Sequence, residues 1–130
     1  MQLTPTLDYT AYDWGKTKLH RRSIHRFVWR GIPDPFMEAL DFPDLGLLSP
    51  VRGFSASSLQ SLTLYNNAFV LHFSAQIADA AKTSDEAVRR LLMREPTEDE
   101  RREFAAFVQR HGLAALCRVL MNSNEFLFVD

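Results

Sequence analysis

From Ser57 onward the chain carries apolar residues at helical spacing, punctuated by helix-start and helix-stop signals, and this pattern confines it to an all-α fold. Leu59, Leu62, Tyr65, Phe69, Val70, Phe73 and Ile77 recur at intervals dominated by three and four residues, the spacing that lines one face of a helix. Asn66-Asn67 interrupts that run. Asparagine hydrogen-bonds nearby backbone better in caps than in helix interiors, so the spacing predicts a break or kink there. One of Ser55, Ser57 or Ser58 is expected to cap the helix that follows. Thr83-Ser84-Asp85-Glu86 and Thr97-Glu98-Asp99-Glu100 each place a hydroxyl three residues before a Glu, the arrangement in which both side chains satisfy orphan amides of the first turn. Pro96 ends the helix before the second box. Phe104, Phe107 and Val108 form the next apolar stripe, Arg110-His111 its last turn, and Gly112 its stop. A final helix is expected from Leu113 to about Met121, and the apolar tail 126–129 is expected to pack back as an extended piece.

Upstream the signals are sparser. Residues 1–19 have no clear period and hold Pro5, Gly15 and three aromatics, so they read as an irregular arm. Ile24, Phe27 and Val28 recur at helical spacing until Gly31 and Pro33 stop them. Asp34-Pro35 then starts a short helix, because Asp accepts orphan N–H bonds and Pro lacks the donor that the first position cannot use. Phe36, Met37 and Leu40 would form its apolar side. Residues 41–55, with two prolines and two glycines, read as a loop. The expected architecture is a single compact orthogonal bundle of five to seven helices over residues 20–130, preceded by the arm.

The 130 residues, 46% hydrophobic and 24% charged, suit one core and rule out a disordered or disulfide-stapled chain. No run reaches the length of a membrane span. A net charge of −1 argues against general nucleic-acid binding, which depends on a large positive field. Cys117, the only cysteine, falls on an apolar pattern and is expected to be a small buried hydrophobe. Residues 1–13 lack the apolar run and cleavage site of a secretory signal.

The near-neutral total conceals an asymmetry. Residues 1–30 hold six Lys and Arg against two acids, and the remainder nine against fourteen. Lys18, Arg22, Arg26 and Arg30 are four apart and would line one helix face. Such a row could grip phosphates, sulfates or carboxylates. It could equally pair with Asp34, Glu38, Asp41 and Asp44 or remain solvated. The four histidines have no metal-ligand spacing. Gly53-Phe54-Ser55-Ala56-Ser57 lacks the last glycine and preceding strand of a nucleophile elbow. The five glycines form no phosphate loop. No catalytic residue, metal or cofactor is assigned from these patterns.

Five stretches together carry a resemblance: RRSIHRFVWR (21–30), PDPFMEALDFPD (33–44), SPVRGFSASSLQSLTLYNN (49–67), REPTEDE (94–100) and RHGLAALCRVLMNSNEFLFVD (110–130). In this order they resemble the C-terminal part of the planctomycete PSD-one domain, a domain of unknown function that usually follows a cytochrome-c-like domain in long exported proteins. The resemblance implies an exported or cell-surface setting and involvement in polysaccharide-related metabolism, and it carries no activity to transfer.

Within these stretches Arg22, Arg52, Asn66, Asn122, Asn124 and Glu125 are polar residues embedded in apolar motifs. They either satisfy buried backbone and one another or line a site. Two functions therefore stand at this point. One is a non-catalytic helical module that packs against a neighbouring domain or partner protein. The other is an enzyme or ligand-binding domain for an anionic or carbohydrate substrate, with Arg22, Arg26, Arg52, Asn66, Asn122, Asn124 and Glu125 as its candidate site. The second requires Arg22 or Arg52 to meet Asn66 or Asn124 on one concave surface.

Overall fold

Side-chain caps set most of the helix starts in the computed structural model, which describes residues 13, 16, 22, 25, 32, 34–43 and 57–128. Among the described residues there are seven helices and no strand, so the chain is all-α. The chain divides into two compact units, Met1–Ala56 and Ser57–Asp130.

In the first unit, the described residues contain α1 (Pro35–Ala39). Buried Asp34 caps it, its Oδ1 accepting from Phe36 N at 3.0 Å, with Pro35 in the first turn. The chain leaves α1 through Asp41 at φ 56°, and Phe42 N donates to Met37 O. The helix expected around Ile24, Phe27 and Val28 lies outside the described residues apart from Arg22 and His25, where His25 N donates to Arg22 O at 2.9 Å. Residues 44–55 of the expected loop also lie outside them.

The second unit begins with α2 (Ser58–Asn66), capped by Ser57, whose Oγ accepts from Gln60 N. The break expected at Asn66-Asn67 is present. Asn67 leaves helical geometry at φ −66° and ψ 137° and caps α3 (Ala68–Ala81), its Oδ1 accepting from Phe69 N at 2.8 Å. Next come α4 (Ser84–Leu92) and α5 (Glu98–His111). Of the two expected capping boxes, only Thr97 and Glu100 form the full reciprocal pair. Thr83 caps α4, but the Glu86 carboxylate takes Arg89 and Arg90 instead of returning to the cap. Gly112 at φ 84° separates α5 from α6 (Leu113–Leu120). The tail departs from expectation. Ser123 caps a single turn, α7 (Asn124–Leu127), where an extended piece was expected. The Ser123 Oγ accepts from Phe126 N and supplies a helix start that outweighs the short apolar run.

The core of this unit is built from small residues. Ala78 and Ala81 of α3, Ala87 and Val88 of α4, and Leu116, Cys117 and Leu120 of α6 form one buried cluster. Phe104, Phe107 and Val108 of α5 pack against it, as their spacing predicts. Alanines on two helices let α6 approach both closely, so α6 is the central element of the unit. Cys117 is fully buried, and burial pushes its thiol up to about 11, which leaves it an unreactive packing residue.

Candidate functional site

Two arrangements in the second unit bring together polar residues from separate elements. The first sits at the elbow between α2 and α3. Tyr65 and Asn66 end α2, and Arg118 reaches them from the last turn of α6. The Arg118 guanidinium carbon lies 4.0 Å from the Tyr65 ring centroid, a cation–π stack. Its Nη2 donates to Asn66 Oδ1 over a long 3.4 Å, while Asn66 Nδ2 donates to Leu62 O at 3.0 Å. Asn122 Nδ2 donates to the Arg118 carbonyl at 2.8 Å and so closes the end of α6. Both asparagines are thus structural caps, and Asn66 alone also contacts the Arg118 guanidinium.

The surface around this elbow is apolar. Leu59, Leu62 and Tyr65 follow one another at intervals of three on α2 and are 62%, 61% and 42% exposed; Phe69 continues beyond the elbow at 37%. From Gly53 to Ala78 the sequence has no Lys, Arg, Asp or Glu. Buried Leu64 and Val70 hold the inner side of the same pair of helices. Both outer and inner faces therefore carry large apolar groups, although a helix on a solvated surface ordinarily presents charge outward.

The second arrangement is a clasp. Arg94, in the link between α4 and α5, donates Nη1 and Nη2 to Glu100 at 2.8 and 2.7 Å. It also donates Nε and Nη2 to Glu125 at 2.6 and 2.9 Å. Glu100 also accepts from Thr97 N at 2.8 Å. The Arg94 guanidinium, assisted by that N–H, pulls the Glu100 carboxyl down to about 2. Glu125 is likewise held below the usual carboxylate range by Arg94. Arg94 in turn is raised above its ordinary value, first by Glu100 and then by Glu125. Such fork-to-fork pairs fix orientation as well as charge, and here they tie α7 to the start of α5.

The candidate residues read from the sequence separate accordingly. Asn66 and Asn122 both meet Arg118. Glu125 belongs to the clasp, with both carboxylate oxygens on Arg94. Asn124 is exposed at the first position of α7, where its carbonyl accepts from Phe128 N. Arg22 is exposed and lies in the first unit. Arg26 and Arg52 lie outside the described residues. Arg118 was missed because it sits in LCRVL, which reads as core helix, and because 52 residues separate it from Asn66. The charge-free run 53–78 was visible and would have flagged the elbow.

Elsewhere in this unit the basic residues are mostly paired. Arg89 meets Glu86 and Glu95, Arg90 meets Glu86, and Arg101 meets Asp85, Glu95 and Glu98; Arg102 meets Asp99. Among the described residues no three His, Cys, Asp or Glu are grouped to hold a metal ion, and no helix is long and apolar enough to cross a membrane.

The all-α architecture and this sequence belong to a family without an assigned activity. The chain matches PSD1, protein of unknown function (DUF1553), over residues 3–108, and it is a member of that family. The matched span takes in the N-terminal arm and ends within α5, before the 110–130 segment. No curated protein and no solved structure matches the chain.

Proposed function

We propose that this chain is a non-catalytic interaction module, which packs against a neighbouring domain or partner protein within a larger planctomycete-type exported system. The observation that carries this reading is the outward apolar face of α2, where Leu59, Leu62 and Tyr65 are exposed within a stretch of 26 uncharged residues. Aromatic and aliphatic side chains left in water in one row are the usual content of an interface core. The exported setting rests on the resemblance of the RRSIHRFVWR, LQSLTLYNN and NSNEFLFVD segments to the PSD-one domain.

The test is a double substitution, Leu59→Asp with Leu62→Asp, in the full chain. Because both side chains are exposed, the variant keeps its helical signal and melting temperature. Tagged and expressed in the cells of origin, it loses the protein that co-purifies with the unaltered chain. If the variant unfolds, the face serves the chain's own core and the reading fails. If the same protein co-purifies undiminished, the face is not where the partner docks.

A further inference from the structure

Arg118 holds a charge that no acid among the described residues neutralises. It is half-buried, with its stem leaving α6 between the buried Cys117 and the exposed Val119. The Nε atom is buried and makes no hydrogen bond. Among the described residues no acid pairs with it, whereas Arg89, Arg90, Arg94, Arg101 and Arg102 in the same unit have acidic partners and the exposed Arg110 donates to the Ala106 carbonyl. Withdrawing a cation from water is unfavourable unless an opposite charge compensates, and the helices that could supply one do not. There is no acid between Gly53 and Ala78, and Arg118 is the only charged residue of α6.

The geometry also decides which edge of the guanidinium remains available. Tyr65 covers one face at 4.0 Å. The Nε side is closed by burial. Among the described residues, Nη2 has only the 3.4 Å contact with Asn66 Oδ1, and Nη1 has no hydrogen-bond partner and is not among the buried, unbonded atoms. What is left is the end-on edge, two parallel N–H donors matched to the two oxygens of a planar carboxylate. A single cation with one open edge fits a monoanion better than a phosphate dianion, which draws several donors. The Tyr65 ring stacked on the guanidinium is itself 42% exposed and offers apolar surface at that site.

We propose that the Nη1–Nη2 edge of Arg118, stacked on Tyr65 and flanked by Asn66, is a binding site for the carboxylate of a small molecule with an apolar body. The site stands on the arginine's surroundings and does not require the docking face of α2 to have a protein partner.

Phenylacetate, its neutral analogue phenylacetamide, and inorganic phosphate are the probes, titrated into the full chain and followed by NMR at the Arg118 side-chain N–H and the Tyr65 ring. The expected result is saturable movement of both with phenylacetate, with a dissociation constant on the order of millimolar, and none with phenylacetamide. Arg118→Gln abolishes the response. Arg118→Lys, which keeps the charge but loses the fork, weakens it by about tenfold. Arg102→Gln, at an exposed pair with Asp99, leaves it unchanged. The assignment is overturned if phenylacetate produces no saturable shift, if the amide binds equally, or if Arg118→Lys binds like the unaltered chain. Phosphate binding at or above the strength of phenylacetate overturns the choice of a carboxylate.

Discussion

At the scale of single residues, helix boundaries account for most of what the sequence made legible. Asp34, Ser57, Thr83 and Thr97 all accept first-turn amides at the positions their side chains predict. Glu86 is the instructive departure. It has the spacing of a capping box, but Arg89 and Arg90 take its carboxylate, whereas Glu100 reaches both Arg94 and the Thr97 amide. Such competition is not visible in a four-residue motif. Met93 offers a test of local strain. It closes α4 in left-handed geometry at φ 57° and is 86% exposed, so its side chain contributes little packing. Met93→Gly should relieve the left-handed penalty and raise stability by about 0.5–1 kcal/mol, read as a higher melting temperature. A lower melting temperature would show that the methionine side chain packs in solution.

Among the elements, the α2–α3 break and the α5–α6 junction were legible because Asn67 and Gly112 mark them with their own chemistry. The tail was not. Its residues 126–129 have no period of their own, and what determines α7 is the Ser123 cap together with a clasp to Arg94, 31 residues away. That clasp gives the unit a defined response to acid. The folded-state value of Glu100 is about 2, below the roughly 4.3 of a free Glu, so its contribution is complete above the free value and is lost as pH falls toward the folded one. Arg94→Met should therefore lower the melting temperature at neutral pH. The gap from the unaltered chain should close between about pH 4 and pH 2. A gap that stays constant through that range would mean the arginine acts through packing alone. Hydrogen exchange of the 126–128 amides should also quicken in this variant, since Glu125 loses its partner.

For the molecule as a whole, the class and the site were unequally readable. Helical periodicity marks one face of each element, buried on most and outward on α2, so the all-α class followed from it. The meeting of Arg118 with Tyr65 and Asn66 depends on how α6 packs over α3, which no local pattern encodes. The same distinction separates two leucines. Leu116 is 1% exposed in the core cluster, and Leu116→Ala should destabilise by about 3 kcal/mol through the cavity it leaves. Leu62 is 61% exposed, and Leu62→Ala should change stability by less than about 0.5 kcal/mol. Equal losses in denaturant unfolding would contradict the assignment of Leu62 to an outward face.

The claim that this outward face exists to receive another protein is tested most directly by photo-crosslinking in the cells of origin. A benzophenone side chain replaces Leu62 in one version of the chain and Arg102, on the exposed face of α5, in another. A discrete higher-mass adduct is expected from position 62, absent from position 102 and eliminated by Leu59→Asp. No adduct from position 62, or the same adduct from both positions, would contradict it.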